Sequence, residues 1–164
     1  ASLNIPDFRS AEKTYSLLSL VSGRAGRARK NGLVIIQGFN LNHYSIECAK
    51  THNYEKFYEE EMKVRKMLDY PPYQNLALIK IISKDYELAS QESEKVCHYL
   101  SSHLLKSVAI LGPTVAPLPK YNSSYYFQIL LKYKNSQDVR KELEFLIEKY
   151  KKTTKISVDV DLSV

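Results

Sequence analysis

The sequence predicts a mixed α/β (α+β) chain whose second half folds as a βαββαβ unit. After residue 74, short segments rich in β-branched and aromatic residues alternate with two longer segments of helical periodicity. Each helical segment has a single apolar face. Residues 70–73, Tyr-Pro-Pro-Tyr, separate this half from the first, because proline cannot continue a helix. A domain boundary is therefore predicted near residue 70.

The elements of the second half follow one another in a regular order. Strands are predicted at about residues 75–83, 107–111, 124–133 and 155–161, and helices at about 85–105 and 136–150. The apolar stripes are Ala89, Ser93, Val96, Leu100 and Leu104 on the first helix, and Val139, Leu143, Leu146, Ile147 and Tyr150 on the second. One apolar face per helix suits a two-layer sandwich of ferredoxin-like type. The proline-rich residues 112–120 are predicted to form a stiff surface loop.

The first half is predicted to be mainly helical. Residues 11–21 have helical periodicity, and their common face carries Ala11, Thr14, Leu18 and Val21. Residues 33–36 are consecutive apolar residues, a pattern typical of a strand buried on both faces. Between residues 43 and 68 the pattern becomes helical twice.

A charged run occupies the last of these helical segments. Its spacing allows ion pairs four residues apart, from Glu59 to Lys63 and from Glu61 to Arg65. We interpret the run as a solvated helix face.

Composition favours some classes of function for this protein and argues against others. The 164 residues carry a net charge of +6, which favours an anionic partner. Two separated cysteines and four scattered histidines lack disulfide or metal-ligand spacing, so no metal site is expected and a reducing compartment is favoured. No apolar run approaches the ~20 residues of a membrane span, and the N-terminus does not resemble a signal peptide. We therefore expect a cytoplasmic protein with no membrane partner.

The most informative motif is Gly23-Arg24-Ala25-Gly26-Arg27, which follows the first predicted helix. Its two glycines permit backbone angles that side chains disfavour, and they frame a turn that projects both arginines. Guanidinium groups bind phosphate oxygens bidentately, so the motif fits contact with a polyphosphate. Because the pattern is so short, the alternative interpretation is a solvated basic turn that contacts no polyphosphate.

This motif resembles motif VI of superfamily 2 helicases, whose G-R-x-G-R arginines contact the γ-phosphate of ATP. Its context resembles the PriA family of bacterial replication-restart helicases. The matching segments are residues 3–13 and 33–37, the Tyr-Pro-Pro-Tyr step, the Gly-Pro-rich stretch that runs into an aromatic-Gln-aliphatic-Lys strand at 112–132, and Asp159-Val160-Asp161. The resemblance therefore covers nearly the whole chain.

The resemblance implies three domains. Residues 1–50 would be the end of the second RecA-like helicase lobe with motif VI, residues 51–73 a helical linker, and residues 74–164 the family's C-terminal domain. That domain also resembles a small-subunit ribosomal protein. The abrupt start without methionine predicts a piece of a longer protein.

The resemblance also implies a function for the whole protein. It would be an ATP-dependent 3′–5′ DNA helicase that recognises stalled replication forks and initiates primosome assembly. Arg24 and Arg27 would be catalytic, and Gly23, Arg24 and Arg27 would bind nucleotide, once a lobe outside this chain completes the site. The expected partners are forked and single-stranded DNA, the single-stranded-DNA-binding protein, primosome proteins and the replicative helicase loader.

The sequence lacks the family's phosphate loop, Asp-Glu pair and zinc-binding cysteines. ATP and magnesium are therefore expected as cofactors of the full-length protein, and zinc in its upstream part. This chain alone is expected to bind no cofactor and to have no enzymatic activity.

Some positions depart from the family's pattern. Leu20 stands where related helicases usually have Gln, and Ser124 and Tyr126 stand about where the family tends to place arginines. Contacts from those arginines to DNA cannot be carried over. The candidates for DNA binding are then Lys120, Tyr125 and Lys132.

Three interpretations stay open. Tyr125, Tyr126 and Phe127 either stack on bases or serve as core and cover, which alternating aromatics in a strand more often do. Lys149, Lys151, Lys152 and Lys155 form either a phosphate-facing patch or a solubilising helix end. The rival function for the chain is a stand-alone ferredoxin-like module that binds nucleic acid or the ribosome through its sheet.

Overall fold

The computed structural model describes residues 7–25, 33–38 and 40–162, apart from the side chains of residues 117–119. These residues divide into two compact units, Asp7–Leu68 and the residues from Asp69 onward. The regular structure of the first unit is helical, whereas the second unit is built on a sheet. The predicted mixed α/β class is therefore confirmed.

Helices α1 (Ser10–Ala25), α2 (Tyr44–Lys50) and α3 (Tyr54–Met67) build the described part of the first unit. Their common core consists of Tyr15, Cys48, Ala49 and Phe57. The rings of Tyr15 and Phe57 stack with their centroids 4.3 Å apart. The two helices predicted between residues 43 and 68 are thus confirmed.

Helix α1 is longer than predicted and includes the beginning of the arginine motif. Gly23 and Arg24 lie in its last turn, and Ala25 is its final residue. The prediction that Gly23 starts a turn is therefore wrong. A single glycine costs a helix only about 1 kcal/mol relative to alanine, and the packing of Tyr15 in the core of the unit outweighs that cost. Gly26 and Arg27 lie outside the described residues.

The buried strand predicted at residues 33–36 is also wrong. Residues 33–38 form neither helix nor strand, and Leu33 and Ile35 are each 84% exposed. A strand buried on both faces needs neighbouring strands and covering helices. Every strand that the structure describes lies between residues 75 and 161, in the other unit.

The charged face of α3 is partly buried, which corrects the interpretation of a solvated face. Arg65 Nε donates to Glu61 Oε1 at 2.7 Å, so the predicted pair of Glu61 with Arg65 is confirmed. The predicted pair of Glu59 with Lys63 is wrong, because Lys63 pairs with Glu60 at 2.8 Å. Glu61 is only 5% exposed, because Tyr44 donates its hydroxyl to Glu61 Oε2 at 2.5 Å and covers it. The guanidinium of Arg65 also donates to Glu12 of α1 at 2.9 Å. These four polar groups join all three helices.

The second unit contains the predicted βαββαβ order. Its elements are β1 (Asn75–Ser83), α4 (Tyr86–His103), β2 (Ala109–Tyr121), β3 (Ser124–Tyr133), α5 (Gln137–Lys151) and β4 (Ile156–Asp161). The strands form one antiparallel sheet in the order β2-β3-β1-β4. This element order confirms the ferredoxin-like arrangement.

The core of the second unit lies between the sheet and the two helices. Alternate residues of β1 and β3, including Ile79 and Ile129, are fully buried toward the helices. Both predicted helical stripes face this core, with one exception. Ile147 is 41% exposed, because it lies about 100° around the helix from the buried Leu146 and beyond the contact with the sheet.

Two side-chain hydrogen bonds connect α4 to α5. Tyr99 of α4 donates its hydroxyl to Glu142 of α5, and Tyr150 of α5 donates to Glu92 of α4 at 2.7 Å. The helix pair is thus joined by one phenol-to-carboxylate bond from each helix.

Strand β2 corrects the prediction of a loop at residues 112–120. The strand runs through these residues to Tyr121, with irregular pairing on both sides of Thr114 and Val115. Gly112 has a φ of 115°, and a Cβ there would lie 2.7 Å from the backbone oxygen of Gln128. Only glycine therefore allows β2 to approach β3 this closely.

We predict that Gly112→Ala destabilises the second unit by about 2–3 kcal/mol. The alanine would have to adopt a backbone conformation that L residues rarely adopt, and its Cβ would clash with the backbone of Gln128. Gly23→Ala is the matched control. No described atom lies within 4 Å of a Cβ at Gly23, so this change is expected to stabilise α1 by about 0.5–1 kcal/mol. Urea unfolding followed by circular dichroism measures both. Equal effects of the two changes would contradict the close approach at Gly112.

We predict that Glu61→Gln lowers the free energy of unfolding of the first unit by about 2 kcal/mol or more, because it leaves a largely buried guanidinium without its nearer carboxylate. Glu60→Gln is the control, since Glu60 pairs with Lys63 at an exposed position. That variant is expected to unfold like the parent chain within error. Thermal and urea unfolding of both variants make the comparison, and equal stabilities would count against the buried network.

Candidate functional site

Arg24 lies at the exposed C-terminal end of α1. A cation is favoured there by the helix dipole. Among the residues described, its guanidinium has no carboxylate within 4.0 Å. Gly23, also exposed, leaves open space beside it. Arg24 is thus free to contact an anionic group, whereas the position of Arg27 lies outside the described residues.

An apolar surface leads along α1 to Arg24. Leu17, Leu20 and Val21 are 60%, 52% and 41% exposed, and their spacing places them on neighbouring rows of the helix. Leu20, which stands where related helicases usually have Gln, is therefore part of an exposed apolar surface of this unit. Contiguous apolar surface of this kind is typical of a helix that packs against further protein.

The DNA-binding candidates do not form one group. Lys120 of β2 is directly opposite Tyr125 of β3, and its ammonium lies 5.2 Å from the centre of the Tyr125 ring. Lys132 is seven residues further along β3, so it points to the opposite face of the sheet. There its ammonium lies 4.0 Å from the ring centre of Tyr70, and burial lowers its pKa. Lys120 and Tyr125 can act together, whereas Lys132 cannot join them.

The three consecutive aromatics of β3 have different surroundings. Phe127 is buried in the core of the unit. Tyr125 packs at the margin of this core, edge-on to Tyr86 of α4 with the ring centres 5.4 Å apart. Tyr126 lies on the other face and is partly exposed. Only the exposed portions of Tyr125 and Tyr126 can meet a base, and Phe127 serves as core.

The four lysines near the end of α5 also differ in their surroundings. Lys151 pairs with Glu148 at 3.1 Å, and the ammonium of Lys149 lies over the ring of Tyr150. Lys152 caps the C-terminus of the helix, where a cation is favourable. Lys155 lines a cavity in the second unit.

That cavity was not predicted from the sequence. It has a volume of about 540 Å³ and lies at the end of the sheet where β1 ends and β4 begins. Lys84 and Lys155 contribute its cationic groups, and Thr153, Thr154 and Ser157 contribute hydroxyls. Strand pairing brings these residues together across about seventy positions of sequence. The only local signals were a lysine directly after the first predicted strand and a lysine at the start of the last one, and lysines at strand ends are common on surfaces.

The described residues do not bring together three or more His, Cys, Asp or Glu side chains that could hold a metal ion. Cys48 is buried within the first unit, and burial raises the pKa of Cys97 in the second. None of the helices in the described part of the chain is both long and apolar enough to cross a membrane.

Comparison with known proteins shows the family of the chain. The model of the primosomal protein N C-terminal domain matches residues 66–163. Proteins named replication restart protein PriA also align with 97% of the chain. Identity is 43% over 164 residues with that of Bacillus subtilis strain 168, 34% over 159 with that of Borreliella burgdorferi, and 36% over 159 with that of Synechocystis.

The chain covers 20%, 24% and 19% of the lengths of these three relatives. It thus spans about a fifth to a quarter of the curated relatives it matches. The alignments extend beyond the family model into the first unit, which carries Arg24. Since the family model covers well over half of its residues, the chain belongs to the primosomal protein N C-terminal domain family.

Proposed function

We propose that this chain is the C-terminal region of an ATP-dependent 3′–5′ DNA helicase that recognises stalled replication forks and initiates primosome assembly. The observation that carries the proposal is the alignment of both units with proteins named replication restart protein PriA. Its partners would be forked and single-stranded DNA, the single-stranded-DNA-binding protein, primosome proteins and the helicase loader. A protein with these partners would act in the cytoplasm.

The first unit would complete a motor lobe. The exposed apolar residues Leu17, Leu20 and Val21 support this role, because they offer α1 a surface for further protein. The exposed Leu33 and Ile35 support it as well, because they offer further apolar surface against which the rest of a larger lobe would pack.

Arg24 and Arg27 would act on the nucleotide in the full-length protein. The exposed guanidinium of Arg24, which pairs with no carboxylate of the described residues, fits a phosphate group in charge and in geometry. ATP with its magnesium ion would supply the phosphoryl group and the energy for unwinding. The two arginines would stabilise negative charge on the γ-phosphate as it is transferred, and Gly23 would leave room for the nucleotide beside α1. Zinc would be held by residues outside this chain.

The second unit would bind DNA mainly through phosphate. The chain has a net charge of +6, and the paired Lys120 and Tyr125 stand exposed in part at one end of the sheet. Phosphate contacts give affinity without sequence preference, as a protein that acts at any stalled fork requires.

We predict that Arg24→Ala or Arg27→Ala in the full-length protein lowers DNA-stimulated ATP hydrolysis by about 10³-fold or more, because each removes a group that stabilises the transferred phosphate. Arg140→Ala is the control, since Arg140 is an exposed arginine paired with Glu144 on α5. Steady-state ATPase assays compare the three variants. Turnover near that of the parent protein in both motif variants would rule out the proposed role.

We predict that the 164-residue chain binds DNA weakly and with a strong dependence on salt. The logarithm of the affinity is expected to fall with the logarithm of salt concentration by about 0.9 per phosphate contact on duplex and about 0.7 on single strands. Fluorescence anisotropy with forked and single-stranded oligonucleotides measures the slope. Salt-independent binding would contradict a phosphate interface. A loss of about 1–3 kcal/mol in Tyr125→Ala but not in Tyr125→Phe would assign the affinity to stacking instead.

A further inference from the structure

The cavity at the end of the sheet is built from strand ends that are fixed to each other. Ser83, the last residue of β1, donates its hydroxyl to the backbone carbonyl of Lys155 at 2.9 Å. The same hydroxyl oxygen accepts a hydrogen bond from the Asp85 N–H at 3.1 Å. Lys84 is held between Ser83 and Asp85, and Lys155 is held through its own carbonyl. The backbone positions of both lysines are therefore set before any ligand arrives.

Cationic and hydroxyl groups dominate the polar lining of this cavity. Lys84 and Lys155 are exposed, and within the described residues no carboxylate lies within 4.0 Å of either ammonium. The hydroxyls of Thr154 and Ser157 are available as donors beside them. Ammonium and hydroxyl donors together are the groups that proteins use to bind phosphate oxygens.

One carboxylate also lines the cavity. The side chain of Asp85 accepts a hydrogen bond from the Leu88 N–H at 3.2 Å and so caps α4. One of its oxygens is thereby engaged by the helix end. Two ammonium groups still outnumber it, so the cavity favours an anion, and Asp85 weakens that preference.

The cationic surface continues beyond the cavity. Strand pairing sets Ser83 opposite both Tyr125 and Ile156, and it sets Lys120 opposite Tyr125. These residues form one row across the four strands. With strands about 4.8 Å apart, Lys120 lies roughly 10 Å from Ser83 along this row. The row is longer than one phosphate group and matches a stretch of about two or three nucleotides, at ~3.4 Å per phosphate of a strand.

We infer that the cavity between Lys84 and Lys155 binds a phosphodiester of the DNA backbone, and that the strand continues across the sheet end to Lys120. The inference rests on the proposed DNA binding and names its site. Lys84 and Lys155 contact one phosphate, and Thr154 and Ser157 donate hydrogen bonds to its oxygens. Lys120 contacts a phosphate about two or three nucleotides further along the strand, while Tyr125 supports its side chain.

The test compares three forms of the 164-residue chain in binding single-stranded oligonucleotide between 50 and 200 mM salt. The double variant Lys84→Gln/Lys155→Gln removes the contact to one phosphate, so its salt slope is expected to be smaller by about 0.7, and the affinity of the parent chain to fall about 2.6-fold more over this range. Lys106→Gln/Lys134→Gln is the matched control. It removes the same charge from exposed positions at the other end of the sheet and is expected to keep the parent slope.

The outcomes separate the site from the function. If the parent chain binds no DNA at 50 mM salt, the proposed DNA binding fails and the inference fails with it. If the parent chain binds and the cavity variant keeps its slope, or both double variants lose slope equally, the inference is overturned while DNA binding stands. Unfolding curves check that each variant is folded.

Two further arms identify the ligand. Asp85→Asn keeps a capping side chain and removes the negative charge, so it is expected to tighten DNA binding severalfold. Weaker binding in that variant with an intact fold would count against the site. Inorganic phosphate, followed through the backbone amide signals of residues 153–157, tests for a free anion. Saturation below about 1 mM, together with unchanged oligonucleotide affinity in the cavity variant, would assign the cavity to free phosphate and overturn the backbone assignment.

Discussion

The pairing of β1 along both of its edges is the constraint on which the second unit depends. Nine residue pairs join β1 to β3, and six join it to β4. Side chains alternate between the two faces of a sheet, so a slip of one residue would turn Ile79 and Ile81 away from the helices and Lys80 toward them. The same register sets Ser83 level with Tyr125 and Ile156. The core and the candidate DNA site are therefore determined together.

Much of this unit could be predicted from local periodicity. The bounds of β1 and β3 match the sequence prediction, because each central strand is a nearly continuous run of apolar and aromatic residues between polar ends. Strand β2 was missed beyond residue 111 because its prolines resemble a loop. It lies at the edge of the sheet, where a residue without an N–H costs no pairing on the outer side. Whether a strand lies at the edge depends on the order of the strands in the sheet, and no local sequence pattern reveals that order.

The candidate site was predictable only in part, because it depends on contacts distant in sequence. Arg24 could be found since its motif is continuous, although helix packing moved Gly23 out of the predicted turn. The partnership of Lys84 with Lys155 arises only when β1 pairs with β4. For the same reason the burial of Glu61 was missed. Its donor Tyr44 lies on α2, and Glu12, which also accepts a hydrogen bond from Arg65, lies on α1. Spacing within α3 revealed Arg65 alone.

The two phenol-to-carboxylate bonds between α4 and α5 make the helix pair sensitive to alkali. The hydrogen bond to Glu142 raises the pKa of Tyr99 to about 12, and burial followed by the bond to Glu92 also raises the pKa of Tyr150. A phenol whose pKa is raised on folding contributes stability that is complete below its unfolded value of about 10 and is lost as the pH rises through the folded value. At neutral pH both helices are joined by uncharged donors, and deprotonation would place two anions at each junction.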